Sequence, residues 1–267
     1  MKLMAGVISE TEAKSFSDSG ADELYCGLCL INNHRDPELS VDLAGLTRII
    51  KAARNRRKPV FLAANETYHQ SWYPRIVETI SDCLAAGLSG LIIRDMGLLS
   101  YLRERSVKTR FILSALGCCF NSGALSFYAC LGIERITVPQ QLTPAEAGRL
   151  LHNRLGLETE VFFHDFSYCV NIDGACVLHD FPGAACASHP CLETYTLQGK
   201  KFVMPKPSRP EMMRMFYSFY KEGAQYLKTP RYGDFSHGAA VVQRALKLIS
   251  LAGASASESE FLTAAGR

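Results

Sequence analysis

The stretch GLIIRDMGLLSYLRERSVKTRFILSA (residues 90–115) decides the fold. It opens on a short apolar run, GLIIRD (90–95), and passes through an amphipathic helical pattern over 97–106. It closes on a second apolar run, RFILSA (110–115). Two apolar runs joined through a helix with short joints read as parallel strands of one sheet. The same unit recurs on both sides. Further apolar runs are KLMAGV (2–7), DELYCG (22–27), PVFLAAN (59–65), RITVPQ (135–140), EVFFHD (160–165) and QYLKTP (225–230). Helical patterns alternate with them near 10–18, 41–55, 73–86, 121–130, 143–153, 210–222 and 236–250. Gly20, Gly87, Gly132, Gly156 and Gly223 stand at helix-to-strand joints, where glycine accepts the left-handed conformation that ends a helix.

Eight repeats predict a (β/α)8 TIM-like barrel forming a single domain over 1–250, with a doubly wound open sheet as the alternative. The small, polar stretch 251–267 is expected to be a flexible tail. In such a barrel the reactive groups gather at the C-terminal ends of the strands. Here those positions carry Cys26, Asn65-Glu66, Asp95, Ser114, Gln140, His164-Asp165 and Lys228. Each has a plainer use as a cap or turn former, so their shared location says more than any one of them. The basic run Arg54-Asn-Arg-Arg-Lys58 reads as a helix end, where cations meet the negative end of the dipole.

One joint breaks the rhythm. Between the seventh run and the next helix lies a long insertion, 165–209, that holds Cys169, Cys176, Cys186 and Cys191. A connection of that length in a compact domain is usually functional. The whole chain has ten cysteines, no apolar run long enough to span a membrane and no export signal at its start, so cytoplasmic residence is expected. In that compartment clustered thiols point to a metal rather than to disulfides. The spacings leave six, nine and four residues between successive cysteines. Only the last suits zinc, whereas an iron–sulfur cluster accepts wide, irregular spacing. A net charge of +3 is too small to imply nucleic acid by itself. The chain has no G-x-S-x-G or H-E-x-x-H motif for hydrolysis.

The run Glu160-Val-Phe-Phe-His164, followed by Cys169-Val-Asn-Ile-Asp-Gly174-Ala-Cys176-Val-Leu178, resembles the signature of peptidase family U32. GADELYCG, FLAANE, IIRDMGLL, FILSALGCCFNSGAL and GAQYLKTPRYGDFSHGAAVV extend the likeness over roughly 2–250. It departs where Asp165-Phe166 replaces two small residues, where His179 replaces a serine, and in the longer spacing Cys186-Ala-Ser-His-Pro-Cys191.

The resemblance implies a 4Fe–4S cluster on Cys169, Cys176, Cys186 and Cys191, with zinc as the lesser alternative and Cys26 or Cys29 as a reserve ligand. It further implies an oxygen-independent hydroxylase, or a subunit of one, acting on RNA or on a small or prenylated aromatic substrate. A homologous U32-family subunit is the expected partner. A U32-type peptidase and a non-catalytic iron–sulfur partner subunit are the alternatives. At the strand ends, His164, Asn65 and Asp95 are expected in catalysis. Ser114, Lys228 and Arg231 are expected to bind substrate.

Overall fold

The computed structural model describes residues 1–31, 37–163, 194–203 and 207–266. Eight parallel strands close a barrel. They are β1 (Lys2–Gly6), β2 (Glu23–Leu28), β4 (Val60–Ala64), β5 (Gly90–Ile93), β6 (Arg110–Leu113), β7 (Arg135–Thr137), β8 (Glu158–Phe162) and β11 (Tyr226–Lys228). Around the ring the order is β1-β11-β8-β7-β6-β5-β4-β2, and β1 also pairs with β2, which closes it. A two-residue strand, β3 (Ser40–Val41), adds to the end of β2 with Gly27 opposite Ser40. The open doubly wound sheet is therefore excluded.

The strands sort their residues by the two-residue period of extended chain. Met4, Tyr25, Phe61, Ala63, Ile92 and Ile112 form a buried cluster inside the barrel. Their neighbours, among them Leu3, Leu24, Leu62, Leu91 and Leu113, pack outward beneath the helices in a second, larger core. The helices are α1 (Glu10–Ser19), α2 (Leu43–Arg54), α3 (Tyr73–Ala85), α4 (Met96–Glu104), α5 (Ser122–Cys130), α6 (Pro144–Leu151), α7 (Arg209–Lys221) and α8 (Phe235–Ala254). Most begin at the mouth of the barrel on a polar cap. Asp42 accepts from Gly45 N (2.6 Å), Asn121 accepts from Ala124 N (2.9 Å), and Thr143 and Glu146 form a reciprocal capping box.

Two elements depart from the sequence expectation. The stretch 251–267, expected to be a flexible tail, carries α9 (Glu258–Ala265). Ser257 caps it, and the fully buried Phe261 stacks on Tyr217 with ring centroids 4.9 Å apart. Phe261, worth about 2–3 kcal/mol when buried, anchors the segment, and Leu262 and Ala265 also pack against the core. Within the long joint 165–209, residues Thr194–Leu197 (β9) and Lys200–Val203 (β10) form an antiparallel hairpin. Gln198 and Gly199 turn it with φ of 50° and 75°. A two-residue turn with both φ positive matches the twist of the strands it joins.

Candidate functional site at the barrel mouth

Short strands expose their C-terminal residues at one end, and four of the residues expected there follow or end a strand. Asn65 follows β4, Asp95 follows β5, Ser114 follows β6, and Lys228 ends β11. Their surroundings divide them into two groups.

Asp95 is a scaffold residue. Its carboxylate accepts from Leu98 N (3.1 Å) as the cap of α4, from Tyr68 N (2.9 Å) and from the Tyr73 hydroxyl (3.0 Å). It thereby ties the β4–α3 loop to the start of α4. Burial pushes the Tyr73 phenol up to about 12, and the Asp95 hydrogen bond adds to the shift, so Tyr73 stays a donor. Ser114 is also buried, and its hydroxyl accepts from Leu116 N (3.3 Å). Glu66, next to Asn65, faces Arg94 at 3.6 Å.

Lys228 belongs to a different construction, a chain of charges running through the barrel from floor to mouth. At the floor the partly exposed Arg110 meets Glu134 (3.0 Å) and Glu158 (3.0 Å). Arg135 is fully buried above it. Its guanidinium grips Glu23 (2.6 and 3.1 Å) and Glu158 (2.8 and 2.9 Å), and lies 3.3 Å from the centroid of the Tyr226 ring. Glu160 comes next, 3.5 Å from Arg135. Its other oxygen accepts from Thr137 Oγ1 (2.8 Å) and Lys228 Nζ (3.0 Å). Lys228 then sits 4.5 Å from the centroid of the Tyr25 ring at the top of the chain.

Burial opposes ionisation of Glu158, but the hydrogen bond and charge of Arg135, with that of Arg110, outweigh it and hold its carboxyl below the ordinary value. Burial lowers Lys228, and the neighbouring Glu160 only partly restores it. An ammonium so buried against one carboxylate is a proton holder of reduced basicity. Arg231 is equally enclosed, its Nη1 donating to Leu39 O at 2.8 Å. A Cβ on Gly6 would come within 2.9 Å of the Pro230 and Arg231 backbone, so only glycine lets this corner close. The structure thus brings Lys228 and Arg231 to one side of the mouth, with Tyr25 between them (Arg231 lies 6.0 Å from its ring centroid).

Sequence reasoning missed Glu23, Arg135, Glu158 and Glu160 as a connected group. Their signal was a charged residue in the opening positions of the apolar runs, with Glu158 two residues ahead of its own, all on the inward phase of the strand.

Cys26, expected at the strand end, is an interior residue of β2 packed in the outer core, and burial pushes its thiol up to about 12, which keeps it protonated. Cys29, one turn beyond, is exposed. No group of three or more His, Cys, Asp or Glu side chains among the described residues is arranged to hold a metal ion. His164, Cys169, Cys176, Cys186 and Cys191 lie outside the described residues. The segment carrying them follows Phe163, whose N–H donates to Lys228 O (2.8 Å) where β8 opens on the mouth.

The sequence profile of peptidase family U32 matches residues 9–244. The chain belongs to that family. An uncharacterized protease of Methanocaldococcus jannaschii is 25% identical over 251 residues, covering 84% of this chain and 60% of that protein. The tRNA hydroxylation protein P of Escherichia coli is 23% identical over 192 residues, covering 68% of this chain and 41% of that protein. The chain thus spans about half the length of these curated relatives. Among solved structures, a U32 peptidase superposes with a TM-score of 0.54 at 12% identity, covering 88% of this chain and 94% of that one. A truncated 3-deoxy-D-arabino-heptulosonate 7-phosphate synthase from Thermotoga maritima gives 0.53 at 14%, covering 95% and 88%. At such identities these likenesses bear on the barrel fold alone. No described helix is long and apolar enough to cross a membrane.

Proposed function

We propose that this U32-family chain is an iron–sulfur protein that hydroxylates RNA without dioxygen, alone or paired with a homologous U32 subunit. The observation that carries the reading is the origin of the cysteine-rich segment. Four cysteines in 23 residues follow directly on β8, the strand that contributes Glu160 to the buried charge chain and opens on the mouth. The name of the Escherichia coli relative supplies the substrate class.

Thiolates are the donors such a cluster requires, and the buried Cys26 and Cys119 are poor sources of them. Burial pushes the thiols of Cys26 and Cys119 up to about 12. By the family resemblance, Cys169, Cys176, Cys186 and Cys191 would hold a 4Fe–4S cluster, whose contribution when bound is electron transfer. The chain's own residues have separate tasks. Asp95 fixes the loop that carries Asn65, which orients polar groups of the substrate. Lys228 and Arg231 supply positive charge at the rim, and His164 exchanges a proton near neutral pH. The peptidase alternative rests on the name of the archaeal relative. A thiol nucleophile at Cys26 would need a far lower pKa than the buried site allows.

Anaerobic purification followed by iron, sulfide and zinc analysis tests the reading. The expected result is iron and sulfide in equal amounts, lowered by alanine at any of the four clustered cysteines. Stoichiometric zinc, or no metal under strict anaerobiosis, would sink it.

A further inference from the structure

Helices α1 to α5 and α7 all end in one backbone pattern. A residue in the left-handed conformation bonds back three residues, and the next N–H bonds back five. Gly20, Gly87, Gly132 and Gly223 take that position at four of the ends, and Ser106 takes it at α4. At α2 it is Arg57, with φ of 58°. Arg57 N–H reaches Arg54 O and Lys58 N–H reaches Ala53 O, both at 3.0 Å. A long cationic side chain thus occupies a place where glycine avoids backbone strain.

What that placement achieves is local. Arg57 lines a concavity of about 400 Å³ at the floor of the barrel, together with Arg54, Lys58, Gly87 and Ser89. The neighbouring Arg56 is neutralised by Asp18 (2.7 and 2.8 Å). Arg54, Arg57 and Lys58 have no salt-bridge partner among the described residues. The Ser89 oxygen accepts from Val60 N (3.1 Å), so its hydroxyl hydrogen is available to donate. The C-terminal end of α2 offsets part of this positive charge, but its dipole is worth only about half an elementary charge. Three cations around one hollow suit an anion with several acceptor oxygens.

We propose that this floor concavity binds phosphate groups, with the backbone of an RNA substrate as their source. The choice of RNA rests on the function proposed above; the anion site does not.

The test is tRNA binding to the purified holo-protein across a salt series, comparing wild type, Arg57→Gly and the double variant Arg54→Gln/Lys58→Gln. Glycine relieves the left-handed strain, so Arg57→Gly should melt at the same or a higher temperature. Its tRNA binding should weaken roughly three- to tenfold, and its log–log salt slope should fall by about one; the double variant's slope should fall by about two. Unchanged affinity and slope in both variants would overturn the proposal. Displacement of tRNA by poly-glutamate as effectively as by RNA would also overturn it, in favour of an acidic protein. ATP binding that needs Arg57, alongside tRNA binding that does not, would overturn RNA as the source. Arg57-dependent tRNA binding by protein that holds no iron even after strictly anaerobic purification would keep this site and remove the cluster reading. Iron-loaded protein whose binding ignores Arg57 would do the reverse.

Discussion

Within the barrel, Phe61, Ala63, Ile92 and Ile112 line β4 to β6, while Arg135, Glu158, Glu160 and Lys228 line β7, β8 and β11. One half is an ordinary apolar core. The other replaces that core with ion pairs. Glu23 on β2 joins the charged half although β2 and β7 lie four strands apart in the ring, so its bond to Arg135 crosses the interior. Burying ion pairs is seldom the most stable choice, because desolvation consumes most of the Coulomb gain. The apolar half therefore carries stability. The charged half places the Lys228–Glu160 pair beneath the part of the mouth where the cysteine-rich segment begins.

The largest expected effect comes from breaking the charged half at its centre. Arg135→Met removes the buried cation that Glu23, Glu158 and Glu160 share, leaving Glu23 only a 3.9 Å contact with Arg110, and should cost about 4 kcal/mol in chemical denaturation. Adding Glu23→Gln, which neutralises the carboxylate left without a close cation, should recover part of that loss, while Glu160 stays to pair Lys228. A single variant as stable as wild type would show that water or rearrangement replaces Arg135 and would erase the distinction between the halves. In the apolar half, Ile112→Ala should cost about 3 kcal/mol through the cavity it leaves, with no change in the pH dependence of stability.

The smallest effect is a titration. The folded Glu158 carboxyl lies below its ordinary value of 4.5, so the folded state binds fewer protons than the unfolded chain between the two values. Its contribution is complete above that ordinary value and is lost as pH falls through the folded one. Glu158→Gln should flatten the acid limb of the stability curve and leave Ile112→Ala unaffected there. An acid limb identical to wild type would move the acid sensitivity elsewhere.

The sequence was legible wherever one strand or one helix carried its own signal. Apolar runs such as GLIIRD and RFILSA, the helical patterns between them and the glycine joints gave the barrel and the rim positions of Asn65, Asp95, Ser114 and Lys228. It misled at the C-terminus, where composition outvoted the single Phe261 that anchors α9. It also could not separate a capping role from a catalytic one at Asp95, since both use an aspartate at a strand end. That distinction needed the three donors that converge on its carboxylate.

The amino-acid sequence by itself determined the repeat, the number of barrel strands, the end at which polar residues gather and the joint that carries the four cysteines. These follow from hydrophobic period and turn chemistry, which act over a few residues. Only the tertiary structure decided that Glu23, Arg135, Glu160 and Lys228 form one chain, and that Arg57 stands beside Arg54 and Lys58 around a single hollow. Closing a ring brings together side chains from distant strands, and the electrostatics of such a meeting depends on distance and burial.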